Sequence, residues 1–176
     1  MDPRTRRVLL AVGALTYRLP EAQLDRFLLR LGFGLPEAVD EVEMVRRRLE
    51  RRQESTALEP VLDAGQLLRL QATVETVHVS DQVQRYAVEL VRATRSHEAV
   101  LVGASPRGSL ALVTCGRALA LLQGRDHVVP EDLKALAPAA LAHRITLRPE
   151  LWLGEVRAEQ VVDQVLHSVA VPDARR

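Results

Sequence analysis

Residues 103–112, GASPRGSLAL, decide how this chain is read. Ser105 has the side chain of an N-cap, and Pro106 suits the first helical position because a helix start leaves that N–H unpaired in any residue. A helix therefore opens here, with Arg107 in its first turn. That turn is the positive end of the helix dipole, where acids are favoured and a permanent cation is mildly penalised. Dipole, first-turn N–H groups and guanidinium would converge on one point. They would make an anion site, with phosphate the obvious occupant, and Gly103 and Gly108 would let a ligand approach the backbone closely. The competing reading is an exposed arginine at a helix start, and this stretch alone does not choose. A nucleophile elbow fits poorly, since the second glycine of Gly-x-Ser-x-Gly arrives one residue late.

Outward from that point the pattern is helical on both sides. The opening helix runs to about Gln123 and stops at Gly124. Pro130, Glu131 and Asp132 start the next, with Leu133, Leu136 and Ala140 facing inward and Pro138 as a kink. Upstream, Ser80 caps a helix that buries Val83, Tyr86, Ala87, Leu90 and Val91, followed by a loop through SHEAVLVGA. Asp63 with Gln66 forms a capping box before a stripe of Leu67, Leu70, Val74 and Val77. The result is a helical bundle over 58–148, with one more short helix from about Ala158 to Val169.

Composition supports helices and restricts function. The 176 residues are 47% hydrophobic but only 3% aromatic, so aliphatic packing must dominate, which suits helices better than a β-sandwich. Formal net charge is +1, from 24 basic and 23 acidic residues, which argues against a general nucleic-acid or membrane-surface binder. The single lysine, Lys134, has no glycine near it, so the 176 residues contain no P-loop. Cys115 is the only cysteine and lies in an apolar helical run, which predicts a buried, inert thiol and a reducing cytosol. The five histidines stand at no metal-ligand spacing, and no metal site is expected. No stretch reaches transmembrane length, so membrane insertion is not expected.

Residues 20–25, PEAQLD, form a short helical turn, and FLLRLGFG after it reads as a strand buried on both faces. One such strand cannot make a sheet. Arg26 stands at this junction, able to reach a neighbouring subunit's ligand or to pair with Asp25 or Glu21. From Pro36 to Gln53 the stripe Val39, Val42, Val45 and Leu49 marks another helix, acidic in its first half and arginine-rich in its second. That arrangement matches the dipole; its rival is a polyanion patch.

The blocks LPEAQLDRFLLRLGFGLP, LEPVLDAGQLLRLQ, VHVSDQVQRYAVELVRATR and GASPRGSLALVTCGRALALLQGRDHVVPEDLKALAPAALAHRI together resemble the C-terminal portion of MoxR-type AAA+ ATPases, over roughly residues 16–148. The resemblance implies a mainly α chain: an AAA+ lid four-helix bundle with a short helix and one strand of the αβα core. It divides into an unmatched 1–15, a core remnant at 16–35 and a connecting helix and linker at 36–57. The lid follows at 58–148, and a C-terminal helix and tail at 149–176. It also implies that Arg107 is the sensor-2 arginine facing the γ-phosphate of ATP, with Ser105 and Gly103 beside the nucleotide. Arg26 would be an arginine finger acting in trans on a neighbour's site. ATP and Mg²⁺ are the implied cofactors. The implied partners are other MoxR-type subunits in a ring, usually a hexamer, and a client protein remodelled in a chaperone-like way, in the cytoplasm. No Walker A, Walker B or sensor-1 asparagine accompanies these residues, so the expectation is a truncated chain that is inactive alone, with magnesium ligands absent. The alternative from another class is a helical interaction module that works without nucleotide.

Overall fold

The computed structural model describes residues 21–52, 58–151, 154 and 156–172. The expectations for residues 1–15 and Pro20 lie outside the described residues. The chain divides into two compact units, Leu31–Glu75 and a larger one that joins the residues up to Arg30 with Thr76–Arg176.

The larger unit holds the short helix α1 (Glu21–Leu24), and the smaller one holds α2 (Ala38–Arg51) and α3 (Ala64–Val74). In α2 the acids and bases fall at the expected ends, Asp40 and Glu41 in the first turn and Arg48 and Arg51 in the last. Its arginines are partly committed to its own acids. Glu43 lies 2.7 Å from Arg46 and 2.6 Å from Arg47, and Arg46 reaches Glu50 at 2.6 Å. These hydrogen bonds, Arg46 first, pull the Glu43 carboxyl down to about 2. The stripe of Val39, Val42, Val45 and Leu49 is exposed. In α3 the capping box forms as read: Asp63 accepts from Gln66 N at 2.6 Å, and Asp63 N donates to Gln66 Oε1 at 2.7 Å. Yet α3 buries no residue.

The larger unit contains the core, built on α4 (Asp81–Ser96), α5 (Pro106–Leu122), α6 (Pro130–Leu141) and α7 (Ala158–Ser168). Ser80 accepts from Val83 N at 3.3 Å, Pro130 opens α6, and Gly124 takes a φ of +74° after α5, a conformation open to glycine without strain. All five inward positions expected of α4 are buried, against Leu112, Leu133 and Leu141. The fourth helix of this core is α7, through fully buried Val161, Val162 and Val165. The sequence pattern gives that place to α3 instead. Capping fixes where a helix starts, whereas membership of a core depends on which apolar stripe finds a partner.

Two further differences concern strands. SHEAVLVGA, expected as loop, holds β1 (Val100–Val102), which pairs antiparallel with β2 (Thr146–Leu147), Val100 opposite Leu147. Strands of two and three residues are too short for periodicity to reveal. Conversely, Phe27–Phe33 forms no strand among the described residues; within it Arg30 N donates to Ala139 O of α6 at 2.9 Å rather than to a strand partner. Leu31 and Phe33 are left 66% and 94% exposed. The purified chain is therefore expected to self-associate through these side chains. Sedimentation velocity should show oligomers that Leu31→Ser with Phe33→Ser disperses, and a monodisperse wild-type monomer would contradict this.

Candidate functional site

The loop before α5 is fixed by α4. Thr94 Oγ1 accepts from Ala104 N at 3.0 Å and Arg95 Nε donates to Ala104 O at 2.8 Å, so the start of α5 is set by hydrogen bonds to its neighbour. A Cβ on Gly103 would lie 2.6 Å from Arg95 Cα, and one on Gly108 would lie 3.0 Å from Leu141 Cδ2 and 3.2 Å from Val91 Cγ2. These glycines thus serve close packing of loop and helix.

Ser105 is the N-cap, its hydroxyl accepting from Arg107 N at 3.2 Å while its carbonyl accepts from Gly108 N at 2.9 Å. Pro106 has no N–H, so the cap has already engaged the donors expected to meet an anion. What faces solvent is the guanidinium of Arg107, its side chain 56% exposed at the positive end of α5.

The acid missing from that helix start comes from Asp25. Ser105 Oγ lies 2.9 and 3.0 Å from the two carboxylate oxygens and donates to them. Arg107 Nε stands 4.0 Å from Oδ2. The firmer partner is Arg144, whose side chain is 1% exposed. It donates to Asp25 Oδ1 at 2.9 Å and to the carbonyls of Asp25 and Phe27, while its Nε holds Ala140 O at 2.7 Å. His143 Nε2 adds a bond to Phe27 O at 3.1 Å in the tautomer that carries its proton there. Arg26 is exposed, and among the described residues it has no ion pair, because Asp25 is engaged elsewhere. A cleft of about 450 Å³ runs past Asp25, Arg30, Ser105, His143 and Arg144.

The two predicted arginines therefore flank one unpredicted residue: Asp25 precedes Arg26 in the chain and approaches Arg107 in space. Arg144 and His143 were not anticipated, since HRI at a helix end has the form of ordinary C-terminal basic residues.

Comparison with known proteins matches this architecture. A model of the AAA lid domain aligns with residues 92–165, from α4 through α7, and includes Arg107 and Arg144. Over 91% of its length the chain is 42% identical to the uncharacterized protein YeaC of Bacillus subtilis, covering 50% of that protein. Over 89% it is 37% identical to the chaperone MoxR1 of Mycobacterium tuberculosis, covering 43%. Over about nine-tenths of its length the chain is thus a relative of the MoxR-type proteins, and it carries an AAA lid domain. The crystal structure of a candidate ATPase from Cytophaga hutchinsonii superposes with a TM-score of 0.81 at 30% identity, over 89% of this chain and 50% of that one. The chain spans about half the length of the curated relatives it matches. No helix among the described residues is long and apolar enough to cross a membrane.

In this lid domain the ionisation of His143 bears on stability. Burial pushes its pKa down, the charge of Arg144 adds to the effect, and the bond to Phe27 opposes it. The folded chain therefore keeps His143 neutral at pH values where the unfolded chain binds a proton. Its contribution is fully present above the unfolded value, about 6.5, and declines as pH falls below it. The Tm is expected to drop between pH 7.5 and 5, and His143→Gln should flatten that slope. A slope unchanged in the variant would assign the acid sensitivity elsewhere.

Proposed function

We propose that the chain serves as the lid and sensing portion of a MoxR-type ATPase that couples ATP binding and hydrolysis to chaperone-like remodelling of a partner protein. The observation that carries this is the exposed guanidinium of Arg107 at the positive end of α5, held among the described residues by nothing firmer than a 4.0 Å approach to Asp25. A cation so placed can leave its carboxylate for a more highly charged phosphate. In this reading Arg107 is the sensor-2 residue that reads the γ-phosphate, and Arg26, exposed on the segment after α1, is a finger that acts on the nucleotide of a neighbouring subunit. Each guanidinium would stabilise charge that develops on the transferring phosphoryl group. Ser105 acts indirectly, by capping the helix that carries Arg107.

Bound ATP would supply the phosphoryl group, and Mg²⁺ would neutralise its oxygens. The described residues hold no cluster of three or more acids, histidines or cysteines suited to a metal, so the reading assigns Mg²⁺ and the P-loop contacts to residues outside them. A ring of such subunits, a client protein and a cytoplasmic setting belong to the same proposal. So does a lid of residues 58–148 preceded by a core remnant at 16–35.

The second reading, a helical module that works without nucleotide, draws on the engagement of the α5 N-terminus by Ser105 and Asp25. The two are separated by nucleotide binding and turnover. The 176-residue chain alone should bind ATP weakly and not hydrolyse it, while an assembly with P-loop-bearing MoxR-type subunits should hydrolyse ATP in a way that depends on Arg107. Robust turnover by the chain alone would overturn the proposal, and an assembly indifferent to Arg107→Ala would favour the module.

A further inference from the structure

Asp25 lies on the segment bearing Arg26, and its carboxylate is held at the helix start bearing Arg107. Its backbone carbonyl and that of Phe27 accept from Arg144, which fixes the path of the chain on either side of Arg26. Its carboxylate accepts from Ser105 Oγ at 2.9 Å and approaches Arg107 Nε to 4.0 Å.

We propose that Asp25 is a positioning residue that couples the two arginines, so that phosphate engaged by Arg107 is felt at Arg26 of the same subunit. This rests on the reading of Arg107 as a phosphate sensor. The carboxylate competes with an incoming anion for Arg107, whereas Arg144 and Ser105 retain it whatever Arg107 does. When an anion draws Arg107 away, Asp25 loses one of its two cations and is left to Arg144 and Ser105 alone. The balance of forces on residues 25–27 then changes. Because binding linkage is reciprocal, whatever displaces Asp25 must change the affinity at Arg107 by the same factor. Arg26, covalently next to Asp25 and without a partner among the described residues, is the side chain free to respond.

The test uses the purified 176-residue chain with sodium tripolyphosphate, followed through the Nε–Hε resonances of Arg107 and Arg26. In the wild type, tripolyphosphate should shift both resonances. Asp25→Asn keeps the shape and removes the competing charge, so tripolyphosphate should bind about fivefold more tightly, the low end of ordinary coupling, while the Arg26 resonance no longer responds. Unchanged affinity in Asp25→Asn, or an Arg26 response that survives it, overturns the coupling. Should Asp25→Asn fail to fold, Asp25→Ser removes the same competing charge with a smaller side chain. It should abolish the Arg26 response with Arg107 still bound, and a persisting response overturns the coupling equally. Arg107→Ala separates the two levels. If it binds tripolyphosphate as the wild type does, the sensor reading falls and the coupling with it; if it loses binding while Asp25→Asn changes nothing, only the coupling falls.

Discussion

Arg144→Ala is expected to destabilise the larger unit by about 3 kcal/mol, near the lower end of what removing one partner of a buried pair costs. The side chain is 1% exposed and donates to three backbone carbonyls and the Asp25 carboxylate. Truncation removes the Arg144 donors from these acceptors, leaving His143 Nε2 on the Phe27 carbonyl and Ser105 on the carboxylate. Asp25 keeps 25% of its side chain exposed and retains Ser105, which discounts the electrostatic part. Urea denaturation should show the loss, and the Tm should fall by roughly 6–12 °C for a chain of this size. The contrast is Arg107→Ala, an exposed pair at 4.0 Å that should cost under about 1 kcal/mol. Equal effects of the two substitutions would contradict the division of labour drawn between them.

Arg26→Ala has the larger expected effect on activity. An arginine aimed at a transferring phosphoryl group contributes about 10³-fold or more to turnover. Arg26 is exposed, with no ion pair among the described residues, so its removal should leave folding untouched. Steady-state ATP hydrolysis by an assembly of this chain with P-loop-bearing MoxR-type subunits measures this. Turnover should fall about 10³-fold with Tm and assembly unchanged. Wild-type turnover in Arg26→Ala would remove the finger from the account.

Much of the larger unit was legible because its signals are local. Ser80, Ser105, Pro130 and Gly124 each announce a helix boundary by their own chemistry, and the stripe from Val83 to Val91 has the period of a buried helical face. The choice of α7 over α3 as the fourth packed helix was not legible, since both carry apolar stripes and only tertiary contact separates them. The same holds for Phe27–Phe33, whose composition describes a strand while no strand among the described residues pairs with it. At the candidate site, motif singles out Arg107 and Arg26, and its own chemistry marks Ser105 as the N-cap. Asp25 to Ser105 and Asp25 to Arg144 span 80 and 119 residues, and no spacing rule connects positions so far apart. The cation at the start of α5 thus has two prospective counter-ions. Asp25 stands there in the folded chain, and a nucleotide phosphate would compete with it.

That competition is decided by comparing the affinities of ATP and ADP for the assembly of this chain with P-loop-bearing MoxR-type subunits, with Arg107 and with Arg107→Ala. A sensor of the γ-phosphate contributes a charged hydrogen bond that ADP cannot make, so Arg107→Ala should weaken ATP about 10- to 100-fold and leave ADP unchanged. Equal loss for both nucleotides, or no loss for either, would contradict the assignment of Arg107 to the terminal phosphate.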